Sequence, residues 1–271
     1  MKVSTHGTGK PSVAIVGGVH GDEPRTAEVV EDLNTIFETS QMSKHIHGTI
    51  KLIIANEPAL SQDVRYTETD LNRAFLGDEE SELYEERLAT ELLEVLKDCD
   101  AVLGLHSTHS APPPFAITSN MNKEVNRKTL LSSPVDYVLD TSDLRQTTMD
   151  THVPQTVTIE IGEQGTEKAR NFGYEASLSV LRGHGVIDDK EHECTPKRIA
   201  KGIKELEKGS GEPELYSENF EELEKGDVIA EDDEVRHVAE EDDLTPTLAS
   251  EKGYEDIFGI LSKFDGHLSD V

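Results

Sequence analysis

Positive charge is scarce in this chain. Across 271 residues, 26 lysines and arginines face 55 aspartates and glutamates, for a formal net charge of −29. That balance excludes a basic nucleic-acid face. Cysteine is nearly absent. Cys99 and Cys194 stand alone and far apart, which excludes a disulfide framework and indicates a reducing compartment. No apolar run reaches membrane-spanning length, and the opening Met1-Lys2-Val3-Ser4-Thr5-His6 has no secretory hydrophobic core. These absences predict a cytoplasmic protein that engages neither nucleic acid nor membrane. The length accommodates one large domain, or one plus a small appendage.

The surplus of acid has three readings. A disordered acidic chain conflicts with the apolar runs described below. A polycationic partner would call for a dedicated acidic tail, and none is evident. A fold adapted to concentrated salt fits best, because the acids are spread through predicted helices and loops. Salt then screens their mutual repulsion while the carboxylates keep the surface hydrated.

The pattern alternates strand and helix. Val13-Ala14-Ile15-Val16 is a buried strand closed by Gly17-Gly18. Pro24 then opens a helix whose stripe is Val29, Leu33, Ile36 and Phe37. A second strand occupies 48–56, and a polar stretch without clear period follows at 61–77. Long irregular loops of that kind are often functional. A helix is predicted over 79–96 on Leu88, Leu92, Val95 and Leu96, then a strand from Asp100 to His106. Pro112-Pro113-Pro114 forces an extended loop. Another strand runs from Val157 to Ile161, Thr166 caps a helix reaching toward Arg182, and 196–208 reads as a further helix. Gly209-Ser210-Gly211 is the linker candidate. It divides a domain over 1–208 from a small β-rich one over 212–271, where Val228-Ile229-Ala230 and Val235-Arg236-His237-Val238 are separated by acidic turns. The strand-helix order before the linker predicts a layered α/β domain with helices on both faces.

Two of these strands end in histidine. His20 follows the first, with Glu23 three residues on, and His106 closes another. Two imidazoles and a carboxylate with a fourth position open is the donor set of many catalytic zinc sites. The same HxxE could also be a turn with a solvated carboxylate, and His106 is what strengthens the metal reading. Glu160 sits among β-branched residues, which is costly unless it is paired or functional; the alternative is the outer face of an edge strand. Arg65 and Arg73 are either surface ion pairs or grips for a carboxylate, with Asn72 as a neighbouring amide donor. His109 is read as a bystander. A serine nucleophile at Ser107 lacks the G-x-S-x-G turn.

Four stretches together carry a resemblance: Gly17-Gly18-Val19-His20-Gly21-Asp22-Glu23, Asp70-Leu71-Asn72-Arg73-Ala74-Phe75, Leu105-His106-Ser107-Thr108, and Ile159-Glu160-Ile161-Gly162-Glu163-Gln164-Gly165. In this order they resemble the succinylglutamate desuccinylase/aspartoacylase family, relatives of the zinc carboxypeptidases. The resemblance implies a three-layer α/β/α zinc-carboxypeptidase-like domain with a mixed central sheet, plus a small C-terminal β-rich domain. It implies one Zn2+ per chain on His20, Glu23 and His106, with Glu160 as general base. Arg65 would polarise the scissile carbonyl, and Asn72 and Arg73 would hold a substrate carboxylate. Tyr254 matches a substrate-contacting tyrosine of some relatives, or is simply a core aromatic. The implied activity is cleavage of the amide bond of an N-acyl amino acid, or a similar carboxylate-bearing small molecule, by metal-bound water. A carboxypeptidase-like peptidase and a catalytically silent metal-binding relative are the alternatives, and a homodimer is left open. Two departures stand out. Gly104 replaces an acidic residue that many relatives carry two before the second histidine. The extra arginine of acyl-aspartate enzymes has only Arg145 nearby.

Overall fold

Val13, Ala14, Ile15 and Val16 are fully buried, because β2 (Ser12–Gly17) is covered on both faces, as strands of parallel sheets are. Alternation sends Val13 and Ile15 toward a helical layer of α1 (Pro24–Phe37), α4 (Glu124–Ser132) and α6 (Glu167–Gly183). Ala14 and Val16 face the opposite layer, built on α3 (Tyr84–Leu96) with Met149 of the short α5 (Met149–His152). This computed structural model describes residues 1–39, 41–142, 144, 146–188 and 195–269. Arg145 and Cys194 lie outside the described residues.

Among the described residues the central sheet has ten strands. Their order is β1 (Lys2–Gly7), β3 (Thr49–Ile54), β2, β4 (Ala101–Thr108), β7 (Thr156–Glu163), β5 (Phe115–Thr118), β6 (Tyr137–Asp140), β8 (Lys197–Glu207), β13 (Ile257–Leu268) and β12 (Leu244–Thr247). β3, β2, β4 and β7 run parallel, with β1 antiparallel on β3 and β5 antiparallel on β7. The sheet is therefore mixed and helices cover both faces. A small antiparallel sheet of β9 (Glu214–Leu215), β10 (Val228–Glu231) and β11 (Arg236–Val238) lies in the C-terminal part.

The stretch 196–208, expected to be a helix, is instead β8, bonded to β6 on one side and β13 on the other. Ile199, Ile203 and Leu206 imitate a helical stripe, yet Ile203 is 47% exposed while Lys197, Ala200 and Leu206 are buried. Gly202 packs so tightly that a Cβ there would stand 2.5 Å from Leu144 Cδ1. Partners from distant parts of the chain override the local period. The aperiodic stretch 61–77 begins in the end of α2 (Glu57–Gln62) and carries a single 3-10 turn, Leu71–Arg73.

Candidate active site

The carboxyl ends of β2, β4 and β7 lie side by side, which is where open α/β sheets place their sites. After β2 the chain turns on Gly18 at φ +63, a left-handed conformation that glycine adopts without strain. Gly21 passes so close to Ala59 that a Cβ would sit 2.1 Å from its carbonyl carbon. This tight passage carries His20 and Glu23 to the edge of the sheet. Thr26 then locks the turn, donating its hydroxyl to the Glu23 carbonyl at 2.8 Å and accepting from the Gly18 N–H at 2.9 Å.

His20, Glu23 and His106 converge. All three are buried, and their ligand atoms lie within 4.8 Å of one another. His20 Nδ1 is 2.7 Å from Glu23 Oε1 and His106 Nδ1 is 3.4 Å from Glu23 Oε2. The Ser107 N–H donates to Glu23 Oε2 at 2.8 Å. Burial would push both His20 and Glu23 toward their neutral forms. The Glu23 charge and the hydrogen bonds of Asp70 and Glu23 instead carry His20 up to about 9. The two imidazoles hold Glu23 well below the usual carboxylate range. A buried carboxylate between two imidazoles is a place for a positive charge, and this nitrogen-oxygen donor set suits a borderline divalent metal. The group could hold a metal ion.

Glu160 stands beside His106, paired with it in register across β4 and β7. β7 is interior to the sheet, so the edge-strand reading of Glu160 does not hold. Its side chain is buried and Oε2 has no hydrogen-bond partner. Burial first, helped by the Glu23 charge and opposed by His106, raises its carboxyl to about 7.

The polar stretch closes the site from the side. Asp70, which caps the 3-10 turn, holds two groups at once. It accepts from His20 Nε2 at 3.0 Å through Oδ1, and from Arg65 Nε at 3.1 Å through Oδ2. Arg65 Nη1 reaches to 3.9 Å from Glu23, and its guanidinium lies 6.0 Å from the Tyr254 ring centre. Asn72 Oδ1 accepts from the Met149 N–H at 3.2 Å. Arg73 donates to the Asn72 carbonyl at 2.9 Å. His20, Glu23, His106, Glu160, Arg65, Asn72, Arg73 and Tyr254 all line one cleft. His109, read as a bystander, is on its wall as well, with Nε2 3.9 Å from Asp22.

Asp70 and Glu85 organise this site and were not singled out from sequence. Glu85, on α3, is fully buried and accepts from Asn56 Nδ2, from the N–H and hydroxyl of Thr67, and from the N–H groups of Glu68 and Thr69. It clamps the stretch that carries Arg65 and Asp70. Asp70 had a signal, a cap residue heading the Asn72-Arg73 pair. Glu85 had none, being one acid among many on an acidic helix. At Gly104, a Cβ would come within 3.0 Å of both Met149 Cε and Thr158 Oγ1. Those two side chains leave no room for a longer residue at this position, and the carboxylate that supports His20 comes from Asp70.

Comparison with known proteins decides the family. Residues 9–179 match the model of the succinylglutamate desuccinylase/aspartoacylase catalytic domain. The chain belongs to this family. Among curated relatives of the desuccinylase/aspartoacylase type, it is 32% identical over 101 residues to a probable aspartoacylase of Prochlorococcus marinus subsp. pastoris, a match covering 35% of this chain and 33% of that protein. It is 30% identical over 77 residues to a succinylglutamate desuccinylase of Yersinia enterocolitica, covering 28% of this chain and 23% of that one. These matches thus span a third or less of either relative. Among solved structures, the succinylglutamate desuccinylase/aspartoacylase of Rhodobacter sphaeroides superposes with a TM-score of 0.77 at 19% identity, over 97% of this chain and 89% of that one. The product-bound ectoine utilization protein EutE (DoeB) of Ruegeria pomeroyi gives 0.78 at 17% identity, over 97% and 87%. At such identities these two establish the fold.

Proposed function

We propose that this member of the family is a zinc-dependent hydrolase that cleaves the amide bond of an N-acyl amino acid or a similar small molecule bearing a carboxylate. One observation carries the reading: His20, Glu23 and His106 converge on a single buried point in the cleft that Glu160 also lines. A zinc ion held there would act as a Lewis acid and bring the pKa of a water down toward about 7. The protein's own residues do the rest. Glu160, with Oε2 unpartnered and its carboxyl raised to about 7, takes a proton from the attacking water and gives it to the departing amine. Arg65 presents its guanidinium to the carbonyl oxygen as negative charge develops there. Asn72 spends Oδ1 on the Met149 N–H, which leaves its amide hydrogens for the substrate carboxylate beside Arg73. Tyr254 closes the wall behind Arg65. The substrate is small, and the reducing, non-membrane setting read from sequence matches a cytoplasmic one; no helix among the described residues is long and apolar enough to cross a membrane.

The test is Glu160→Gln. This variant keeps one equivalent of zinc and loses kcat by about 10²- to 10⁴-fold on an N-acyl amino acid panel. Normal turnover by the zinc-loaded variant would remove Glu160 from the chemistry.

A further inference from the structure

Among the described residues three carboxylates line the cleft, those of Glu23, Glu160 and Asp150. Glu23 lies between the two imidazoles, and Glu160 is the proposed base. Asp150 has no part in the chemistry so far. It stands on α5 and is only 6% exposed. Its side chain accepts from two neutral groups: the Ser119 N–H meets Oδ2 at 2.8 Å, and the Thr148 hydroxyl meets Oδ1 at 2.6 Å. A carboxylate taken out of water with only neutral partners is costly, and a cation brought to it offsets that cost. Each oxygen accepts one described hydrogen bond and has room for a second.

The surroundings of Asp150 locate that cation. The Met149 N–H donates to Asn72 Oδ1 at 3.2 Å and so ties α5 to the 3-10 turn. Asp150, the next residue, therefore stands on the cleft wall beside Asn72 and Arg73, the proposed grip for the substrate carboxylate. We propose that Asp150 is a specificity residue that binds an ammonium group of the substrate. This rests on the amidohydrolase reading above and narrows it. The molecule cleaved carries a carboxylate and a free ammonium a few bonds apart, as an N-acylated diamino acid does. Its carboxylate goes to Asn72 and Arg73, and its ammonium to Asp150. One ammonium hydrogen makes a charge-assisted bond to the carboxylate. Another can go to the Thr148 hydroxyl, whose own hydrogen is already given to Asp150. A second carboxylate on the substrate would instead meet like charge in a place shielded from water, and is rejected. A neutral side chain would leave Asp150 dry and without a counter-charge.

Calorimetric titration of the zinc-loaded full chain with free amino acids, the amine products, reads recognition without turnover. Ornithine is compared with norvaline, and lysine with norleucine, because each pair differs only by the terminal ammonium. The wild type is expected to bind at least one diamino acid about 10- to 100-fold more tightly than its neutral counterpart. In Asp150→Asn that ratio falls close to one. This variant removes charge and keeps both hydrogen bonds, since its amide oxygen accepts from Ser119 and its NH2 donates to the Thr148 hydroxyl. Its unfolding midpoint in chelator checks that the fold is intact, and the wild-type comparison needs no variant at all. In hydrolysis the same preference appears as the kcat/KM ratio of N-acetylornithine to N-acetylnorvaline, and Asp150→Asn lowers it through KM more than kcat. Three outcomes overturn the proposal: equal binding of the paired ligands by the wild type, binding of neither kind, or an Asp150→Asn protein that keeps the full preference. In each, Asp150 only anchors Ser119 and Thr148. Failure of the amidohydrolase reading would appear separately, as preferential binding of diamino acids without hydrolysis of any N-acyl compound.

Discussion

Asp70 shows how one side chain sets the chemistry of several others. It fixes the far nitrogen of His20 and the guanidinium of Arg65 together, so both keep their aim toward the cleft. An amide in its place offers one oxygen and one NH2, so one of the two donors would face another donor. Asp70→Asn should weaken zinc binding by about 10- to 100-fold, as loss of a carboxylate behind a ligating imidazole commonly does. A competition titration against a chromophoric chelator measures this, and undiminished affinity would show that His20 needs no such support. The proposed role of Glu160 carries a pH dependence. Its unprotonated form would be the base, and burial raises its carboxyl to about 7. The value of kcat/KM should therefore climb as pH rises toward and through about 7, and Glu160→Gln should lack that limb. His20, Glu23, His106 and Glu160 were legible because each is a polar residue where an apolar strand ends or runs, and such placement is costly without a purpose. Asp70 and Glu85 were not, because what they do depends on which distant N–H groups fold onto them.

The element that carries Arg65, Asp70, Asn72 and Arg73 has little regular structure of its own, and Glu85 on α3 supplies what it lacks. Glu85→Gln turns an amide N–H toward groups that are themselves donors. It should cost about 2–4 kcal/mol of stability, read by denaturant unfolding, and raise KM more than it lowers kcat. An unchanged KM would mean that other contacts hold the stretch. A second element-level prediction concerns the end of α6. There His184 is buried against Thr129, whose hydroxyl donates to the Val125 carbonyl and so accepts from His184 Nε2. Burial, helped by the Lys128 charge, lowers this imidazole to about 4. Folding thus excludes a proton that the unfolded chain binds below about 6.5. The stabilisation is complete above that pH and is lost as pH falls toward 4, about 3 kcal/mol in all. His184→Gln should flatten stability across that window in denaturant titrations. Elements with a strong period, β2, α1, α3, β4 and α6, could be read from sequence. β8 could not, because its apolar spacing imitates a helix and its strand state depends on β6 and β13. The short β5, β6 and α4 in 115–140 were hidden too, since four to nine residues give too little period to detect.

At the scale of the whole molecule, the surplus of acid should make stability depend on salt. Like-charge repulsion is screened as the Debye length shrinks, so the thermal midpoint should rise from about 0.2 to 2 M KCl. A flat or falling midpoint would argue against a fold built for brine. The cleft also gathers its parts from far along the polymer. The residues that could hold a metal lie at 20, 23 and 106, the proposed base at 160, and the wall includes Leu248, Ser250, Gly253 and Tyr254. That wall is joined to the sheet through β12 and β13, which bracket it. Translation therefore delivers His20, Glu23 and His106 first. Roughly 150 further residues must leave the ribosome before the wall exists, which takes about 7–30 s at ordinary elongation speeds. During that interval the residues proposed to hold the ion have no enclosed place for a substrate beside them.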